Sequence, residues 1–509
     1  MMIEALILVT VASAVAVMLA DEAIAGRLAF ALSLLPLGGS LLMFLGYDGS
    51  GNALLGGDIA YQTKVEWISL GDLSVGYHVG VDGIGLALLV LTTVLMSLAL
   101  LSAWTPIDER QNQFFGLMLF MEASLIGVFT ALDFLAWFVA WEFVLVPMYF
   151  LIAIWGGPRR KYAAIKFFVY TNVASLVMFI GFIALVFGLP VNSLDLPTIT
   201  QSLHAGELGS LAGIGPDALK LAAFVAMFAG FAVKVPMVPF HTWLPDAHVE
   251  APTPVSVILA GVLLKMGTYA MLRFNFTMLS DVAREPAVAI AIAVFAVISV
   301  LYGAMLALAQ QDLKRIVAYS SISSMGYVLI GLVAYNLYGL GGATFQMVAH
   351  GLISGLMFMS VGVIYNVAHT RMVGDLSGIA DRMPLTATVF TGAAFGYMGL
   401  PLMAGFAGEL YIFLGGMAST TLPHAQVFTA IAMFGIVVVA GYLLYAMQRV
   451  LFGPYEANTE HDIVPAAVTD RVSIVALILL VILLGTAPDL IYGMIQDAVA
   501  PILSIGGGL

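Results

Sequence analysis

Apolar residues run along this chain in blocks long enough to cross a bilayer, at roughly 20 residues per crossing. About fourteen such blocks are legible, near residues 2–20, 27–46, 82–103, 113–132, 134–155, 164–188, 219–245, 254–274, 287–308, 316–334, 340–365, 385–418, 425–448 and 472–492. Two of them are interrupted. The seventh carries Pro236 and Pro239, and the twelfth carries Gly399, Leu400 and Pro401. A proline inside a spanning helix frees backbone groups, which is tolerated only where protein or water satisfies them. The expected fold class is an all-α polytopic membrane protein.

The two breaks fall at matching places. Spans four to eight make a unit of five with its break in the fourth member, and spans nine to thirteen repeat that outline. Five is odd, so the second unit is upside down relative to the first. Inverted repeats with matching broken helices are a transporter architecture. The chain then divides into three leading spans (1–112), a first repeat of helices 4–8 (113–275), a second inverted repeat of helices 9–13 (286–450), and helix 14 with its tail (451–509). Met1–Ala20 reads as a retained first span, being too long and too weakly basic at its start for a cleaved signal peptide. No lateral helix is expected after span fourteen.

Composition sharpens this picture. The chain is 61% hydrophobic and 9% charged, whereas soluble domains carry about 25% charge. Cysteine is absent, which excludes disulfides, iron–sulfur clusters and thiolate metal sites in this chain. The net charge of −12 comes from acids scattered over loops, and there is no basic patch for nucleic acid. No phosphate-binding loop, dinucleotide fingerprint, HExxH or serine-elbow motif has suitable context. Basic residues give the orientation. With Arg159, Arg160 and Lys161 placed in the cytoplasm, twelve of the 18 Lys and Arg fall on that side and four on the other. Both termini then lie on the far side.

Lys234 and Lys265 are left within the membrane. Charge there is rare and marks ion or proton paths. Glu142, in the middle of span five, needs a cationic partner, and these two lysines are the mid-membrane candidates. At about 7 Å and an effective dielectric near 20, such a pair interacts by roughly 2.4 kcal/mol, enough to switch a buried lysine between charged and neutral near pH 7. Glu409 lies in span twelve, eight residues beyond Pro401. Glu122 is either a second intramembrane acid or a lipid-headgroup or interhelical contact. Asp133 reads as a helix cap. His350, mid-span, is a hydrogen-bonded core residue or a proton relay. His241 and His248 flank the turn after the first break, with a spacing that does not suit a metal.

Three stretches carry a family resemblance: WEFVLVPMYFLIAIWGGPRRKYAAIKFFVYT from Trp141, KVPMVPFHTWLPDAHVEAPTPVSVILAGVLLKMGTYAMLRFN from Lys234, and QQDLKRIVAYSSISSMGYVLIGL from Gln310. They resemble the antiporter-like membrane subunits of respiratory complex I, over about residues 80–450. The wider family includes subunits of multisubunit Na⁺/H⁺ antiporters and membrane-bound hydrogenases. The resemblance implies two inverted five-helix repeats with broken helices 7 and 12. It implies proton transfer by Glu142 and Lys234 in the cytoplasm-side half channel, Lys265 as the connecting lysine, and Glu409 at the exit, where sister chains carry lysine. His350 matches the family's span-eleven histidine, and His241, His248 and Ser324 are implied as supporting relay residues. Where many members read SxxHMG, this chain has SISSMG, with Ser324 in the histidine place. That departure suggests a water or hydroxyl bridge at this step.

The implied role is a proton-translocating subunit of an NADH–quinone oxidoreductase with no redox site of its own. No cofactor is expected in this chain. FMN, iron–sulfur clusters and quinone are implied in other subunits. The implied partners are the other complex I membrane subunits, with antiporter-like chains L and N on either side, and phospholipids. The implied location is the bacterial inner membrane, with both termini periplasmic. The alternative is a subunit of a Na⁺/H⁺ antiporter or membrane-bound hydrogenase.

Overall fold

The computed structural model describes residues 1–70, 73–104, 106–457 and 466–505. In chain order the main elements are α1 (Met2–Leu19), α2 (Glu22–Leu45), β1 (Ala60–Leu70), β2 (Leu73–Val81), α3 (Gly83–Ser102), α4 (Gln111–Thr130), α5 (Phe134–Trp155), α6 (Arg160–Gly188), α7 (Leu196–His204), α8 (Pro216–Lys234), α9 (Trp243–Glu250), α10 (Thr253–Met278), α11 (Pro286–Leu308), α12 (Leu313–Ala334), α13 (Leu337–Ala368), α14 (Pro384–Tyr397), α15 (Ala404–Met417), α16 (Ala425–Leu451), α17 (Val468–Thr486) and α18 (Asp489–Leu503). Among the described residues, 13 helices are long and apolar enough to span a membrane. The remaining crossing is the twelfth, split into α14 and α15, neither of which is long enough alone. The count of fourteen therefore holds, with both expected breaks in place.

Acidic and amide side chains at span ends are mostly caps. Asp82, Asp133, Asp312 and Asn336 each accept hydrogen bonds from backbone N–H groups in the first turn of the helix they precede. This is the usual way to satisfy the orphan donors of a helix start.

The two repeats show the same neighbours. Span six (α6) packs along the broken span seven (α8), and span eleven (α13) packs along the broken span twelve (α15). Spans four and five adjoin one another, as do spans nine and ten. At the centre lie α10 and α13, whose spanning windows are fully enclosed by protein, while α1, α2, α16 and α17 are about one-third buried. The outer face of α6 exposes Ile165, Val169, Val173, Leu176 and Ile180. A stripe at helical spacing that is apolar and uncovered is what a lipid- or subunit-facing helix presents.

Three features lie outside the expected spans. First, a β-hairpin (β1–β2) fills the connection before α3. His78 on this hairpin meets Asp195, which also accepts from Lys64 at 3.0 Å and from the Thr198 hydroxyl at 2.6 Å. Burial alone would raise the Asp195 carboxyl, but these donors outweigh it and hold it well below the usual carboxylate range. Second, span fourteen stops at Thr486 instead of 492, because Ala487 precedes Pro488 and is pushed out of the helical region. Third, a helix does follow it: α18, which lies against α3 and α13. It adds a short helix to the expected tail, and, packed on this chain's own helices, it is not a lateral helix. Its 15 residues bury Ile491, Ile495, Ala498 and Ile502, an i, i+3/i+4 stripe that reads as one amphipathic face.

A buried ion pair ties these parts together. Arg273 in α10 donates twice to Asp82, at 2.6 and 2.5 Å. Asp82 also accepts from Ala53 N, and the neighbouring Asn52 donates to Ala498 O in α18. Both charges are almost fully enclosed. Removing one partner of a buried pair leaves the other uncompensated, at about 3–5 kcal/mol. Asp82→Asn is therefore expected to lower the thermal unfolding midpoint of the detergent-purified protein clearly, whereas Lys64→Gln, which removes a half-exposed partner of Asp195, changes it little. Equal midpoints for parent and Asp82→Asn would contradict the role of this pair.

Candidate functional site

The first break begins at Lys234, the last residue of α8. Pro236 and Pro239 lack N–H groups, so the helix cannot continue through them. The backbone groups they free are taken up locally. Trp243 Nε1 donates to Val233 O at 2.9 Å, and Val238 N donates to Ser299 Oγ at 3.0 Å. Ser299 belongs to α11, so the second repeat stabilises the break in the first. A lysine at a helix C-terminus also faces the negative end of the helix dipole, which favours its charge.

Lys234 is buried, and its ammonium has no hydrogen-bond partner in the protein. It sits 4.4 Å from the centroid of the Trp141 ring, a cation–π contact. Trp141 is itself held by a hydrogen bond from its indole N–H to Ser175. The adjacent Glu142 is half-buried on α5, where Pro147 one turn later removes a helix hydrogen bond. Its Oε2 accepts from Asn172 at 3.3 Å and its Oε1 is unpaired. Among the described residues Glu142 and Lys234 thus form no ion pair, and each keeps an unsatisfied polar atom.

Lys265 lies on α10 in a short α-helical stretch between two π-helical ones, 259–263 and 271–278. Such distortions are uncommon and concentrate at functional positions. Its Nζ donates to Ala260 O at 2.5 Å and lies 2.6 Å from Nδ1 of His350 on α13. The two fully enclosed helices therefore carry two residues joined by a hydrogen bond. His350 has its Nε2 free of any protein partner. Gly267 brings α10 against the first break. A Cβ there would stand 3.0 Å from Val235 N and 3.2 Å from Lys234 Cβ.

The second break spans Met398–Met403. Gly399 has φ +62° and Leu402 φ +75°, left-handed values that glycine adopts readily and leucine rarely. Glu409, buried on α15, folds its carboxylate back onto Gly399, so that a Cβ at 399 would overlap Oε2. That oxygen has no hydrogen-bond partner.

Of the supporting residues, His248 is fully buried, stacked on Phe358 at 4.3 Å, with both ring nitrogens unpaired. His241 lies edge-on to Tyr302 at 5.5 Å. Ser324 is buried on α12, one turn from Ser321. Neither histidine contacts a carboxylate, and no metal-binding group of His and acidic residues occurs among the described residues. Glu122 is fully buried with both oxygens unpaired, which rules out a lipid-headgroup contact for it. Sequence reading did not single out Trp141, Asn172 or Tyr397. Their signal was present only as aromatic and amide positions inside spans, indistinguishable from filler without neighbours.

The chain was compared with known proteins. Residues 131–437 match the family described as NADH:quinone oxidoreductase/Mrp antiporter, TM. F(420)H(2) dehydrogenase subunit M of Methanosarcina mazei is 37% identical over 96% of this chain and 94% of its own length. NADH-quinone oxidoreductase subunit M of Rhodobacter capsulatus is 38% identical over 91% of this chain and 87% of its own. A chain of respiratory complex I from Thermus thermophilus shares the fold, with a TM-score of 0.85 over all of both chains at 24% identity. A chain of the Mrp complex from Dietzia sp. DQ12-45-1b matches at a TM-score of 0.84, covering 100% of this chain and 52% of that one, at 23% identity. With more than half its length matching the family and relatives this similar over nearly all of it, the chain belongs to the NADH:quinone oxidoreductase/Mrp antiporter family of membrane subunits.

Proposed function

We propose that this chain moves protons across a membrane as a subunit of a quinone-reducing respiratory complex, driven by redox chemistry elsewhere in the assembly. One observation carries the reading: buried titratable groups line the interior at each structural irregularity. Lys234 stands at the first break, Lys265 with His350 at the π-distorted centre, and Glu409 at the second break. Each retains at least one polar atom without a protein partner or is hydrogen-bonded to another titratable group. Buried charges that serve only stability are paired, as Asp82 and Arg273 are. In this scheme Glu142 and Lys234 take up the proton, Lys265 and His350 pass it inward, and Glu409 releases it.

FMN, iron–sulfur clusters and quinone reside in other subunits, in keeping with a chain that has no cysteine. The immediate neighbours are other membrane subunits of the complex, with antiporter-like chains L and N on either side and phospholipid around them. The membrane is the bacterial inner membrane, with both termini periplasmic, as the distribution of Lys and Arg supports. The electron donor is NADH in the relative from Rhodobacter capsulatus by its name and F420H2 in the one from Methanosarcina mazei. The likeness to an Mrp chain supports a second reading, a cation/proton exchanger subunit. Co-purification separates them: flavin and iron–sulfur subunits accompany the chain in the first reading and are absent in the second.

The direct test is Glu142→Gln. Glutamine keeps the size and a carbonyl acceptor for Asn172 but removes the charge. Proton uptake coupled to quinone reduction in membrane vesicles is expected to fall at least tenfold with assembly unchanged. Near-parental pumping in a fully assembled variant complex would refute the role of Glu142.

A further inference from the structure

We infer that Tyr397 relays protons between His350 and the second break, occupying the step for which Ser324 has no imidazole. The inference rests on the proton-translocation reading above and names a residue that reading leaves out.

Lys265 and His350 sit in the centre, and Glu409 sits at the second break. Something must join them. On the central side, Nδ1 of His350 is taken by Lys265, leaving Nε2 buried and unpaired. The Tyr397 ring stands edge-on to the His350 ring, with centroids 5.7 Å apart. The two rings are thus in contact, and water-mediated hydrogen bonds serve as well as direct ones where polar groups of such neighbours do not touch. On the far side, the Tyr397 hydroxyl lies 3.4 Å from Ser321 Oγ on α12. The next residue, Ser320, accepts a 2.7 Å hydrogen bond from Tyr442 on α16.

Position adds a second line. Tyr397 is the last residue of the half-helix α14 and lies two residues before Gly399, against which the Glu409 carboxylate rests. The phenol thus stands where the central pair meets the break that holds the exit acid. It is buried among α12, α13 and α14. Ser324 is three residues along α12 from Ser321, on the same helix face. Position 324 therefore lies one helical turn from the serine that meets the Tyr397 hydroxyl.

The step balances without net change at the phenol. The tyrosine oxygen accepts a proton from the His350 side as its own O–H proton passes to Ser321 Oγ, whose O–H proton leaves in turn toward Glu409. Rotation of the O–H then resets it. The phenol is neutral before and after, and one proton has moved.

The test uses the assembled complex in membrane vesicles and measures protons taken up per quinone reduced. Tyr397→Phe keeps the ring and its edge-on contact but removes the hydroxyl. A fall of at least fivefold is expected, at equal assembly. Adding Ser324→His to Tyr397→Phe is expected to restore at least half the parental ratio. Parental pumping in Tyr397→Phe overturns the inference. So does a double variant that stays as low as the single one, which would assign the loss to packing. Lys265→Ala is measured alongside. If it too pumps normally, the translocation reading itself fails. If it is impaired while Tyr397→Phe is not, only the relay inference fails.

Discussion

Lys234→Ala is expected to reduce quinone-coupled proton uptake at least tenfold, and Lys234→Arg nearly as far. The two substitutions separate charge from proton exchange. Arginine keeps a cation and stacks on aromatic faces at least as well as lysine, so its contact with Trp141 persists. It keeps the favourable position at the C-terminus of α8 as well. It cannot release its proton in a protein. If Lys234 serves only as a cation that stabilises the broken helix, the arginine variant retains activity while the alanine variant does not. If it takes part in transfer, both lose it. The measurement is proton uptake and quinone reduction in membrane vesicles, normalised to assembled complex. Full activity with arginine would make Lys234 a structural charge and refute its place in the path.

Glu409→Ala is expected to cause a loss of similar size, and the geometry of the second break predicts the rest of the series. Glutamine matches the shape of the acid but holds no exchangeable acidic proton, so Glu409→Gln also loses at least tenfold. Glu409→Lys retains part of the activity, because an ammonium at this place faces the carbonyl end of α14, where a cation is favoured. Gly399→Ala is the structural counterpart. Alanine at φ +62° is strained, and its Cβ would displace the Glu409 carboxylate. Its loss is expected to approach that of Glu409→Ala, and the double variant to be no worse than the more impaired single one, since both act on the same group. Additive losses would show that Gly399 matters for the fold of the break and not for Glu409. Near-parental pumping in Glu409→Ala, at equal assembly, would place the proton exit elsewhere.

Lys234, Lys265 and Glu409 were each visible in the sequence because charge inside a long apolar block has no ordinary reason to be there. The breaks were visible for a similar reason: Pro236 and the Gly399–Pro401 cluster interrupt helices that composition otherwise demands. Tyr397, Trp141 and Asn172 were not visible. Aromatic and amide side chains are common in membrane helices, and their chemistry depends on which polar atom faces them. Arg273 shows the converse. Counted by side, it is one basic residue near a span end; in the fold it is a buried partner of Asp82, 191 positions away in sequence.

By itself, then, the sequence determined the membrane class, the fourteen crossings, the two broken helices and the charges beside them. These follow from the length of apolar runs and from backbone chemistry, both local properties. Tertiary structure alone decided which charges meet. Lys265 finds His350 because α10 and α13 are the two enclosed helices, and the Lys234 ammonium lies over the Trp141 ring and forms no ion pair with Glu142 among the described residues. The same holds for the carboxylate of Glu409 resting on Gly399 and for the hairpin bound to Asp195. Such pairings depend on helix rotation and depth in the bundle, which side-chain packing sets and residue order along one span does not encode.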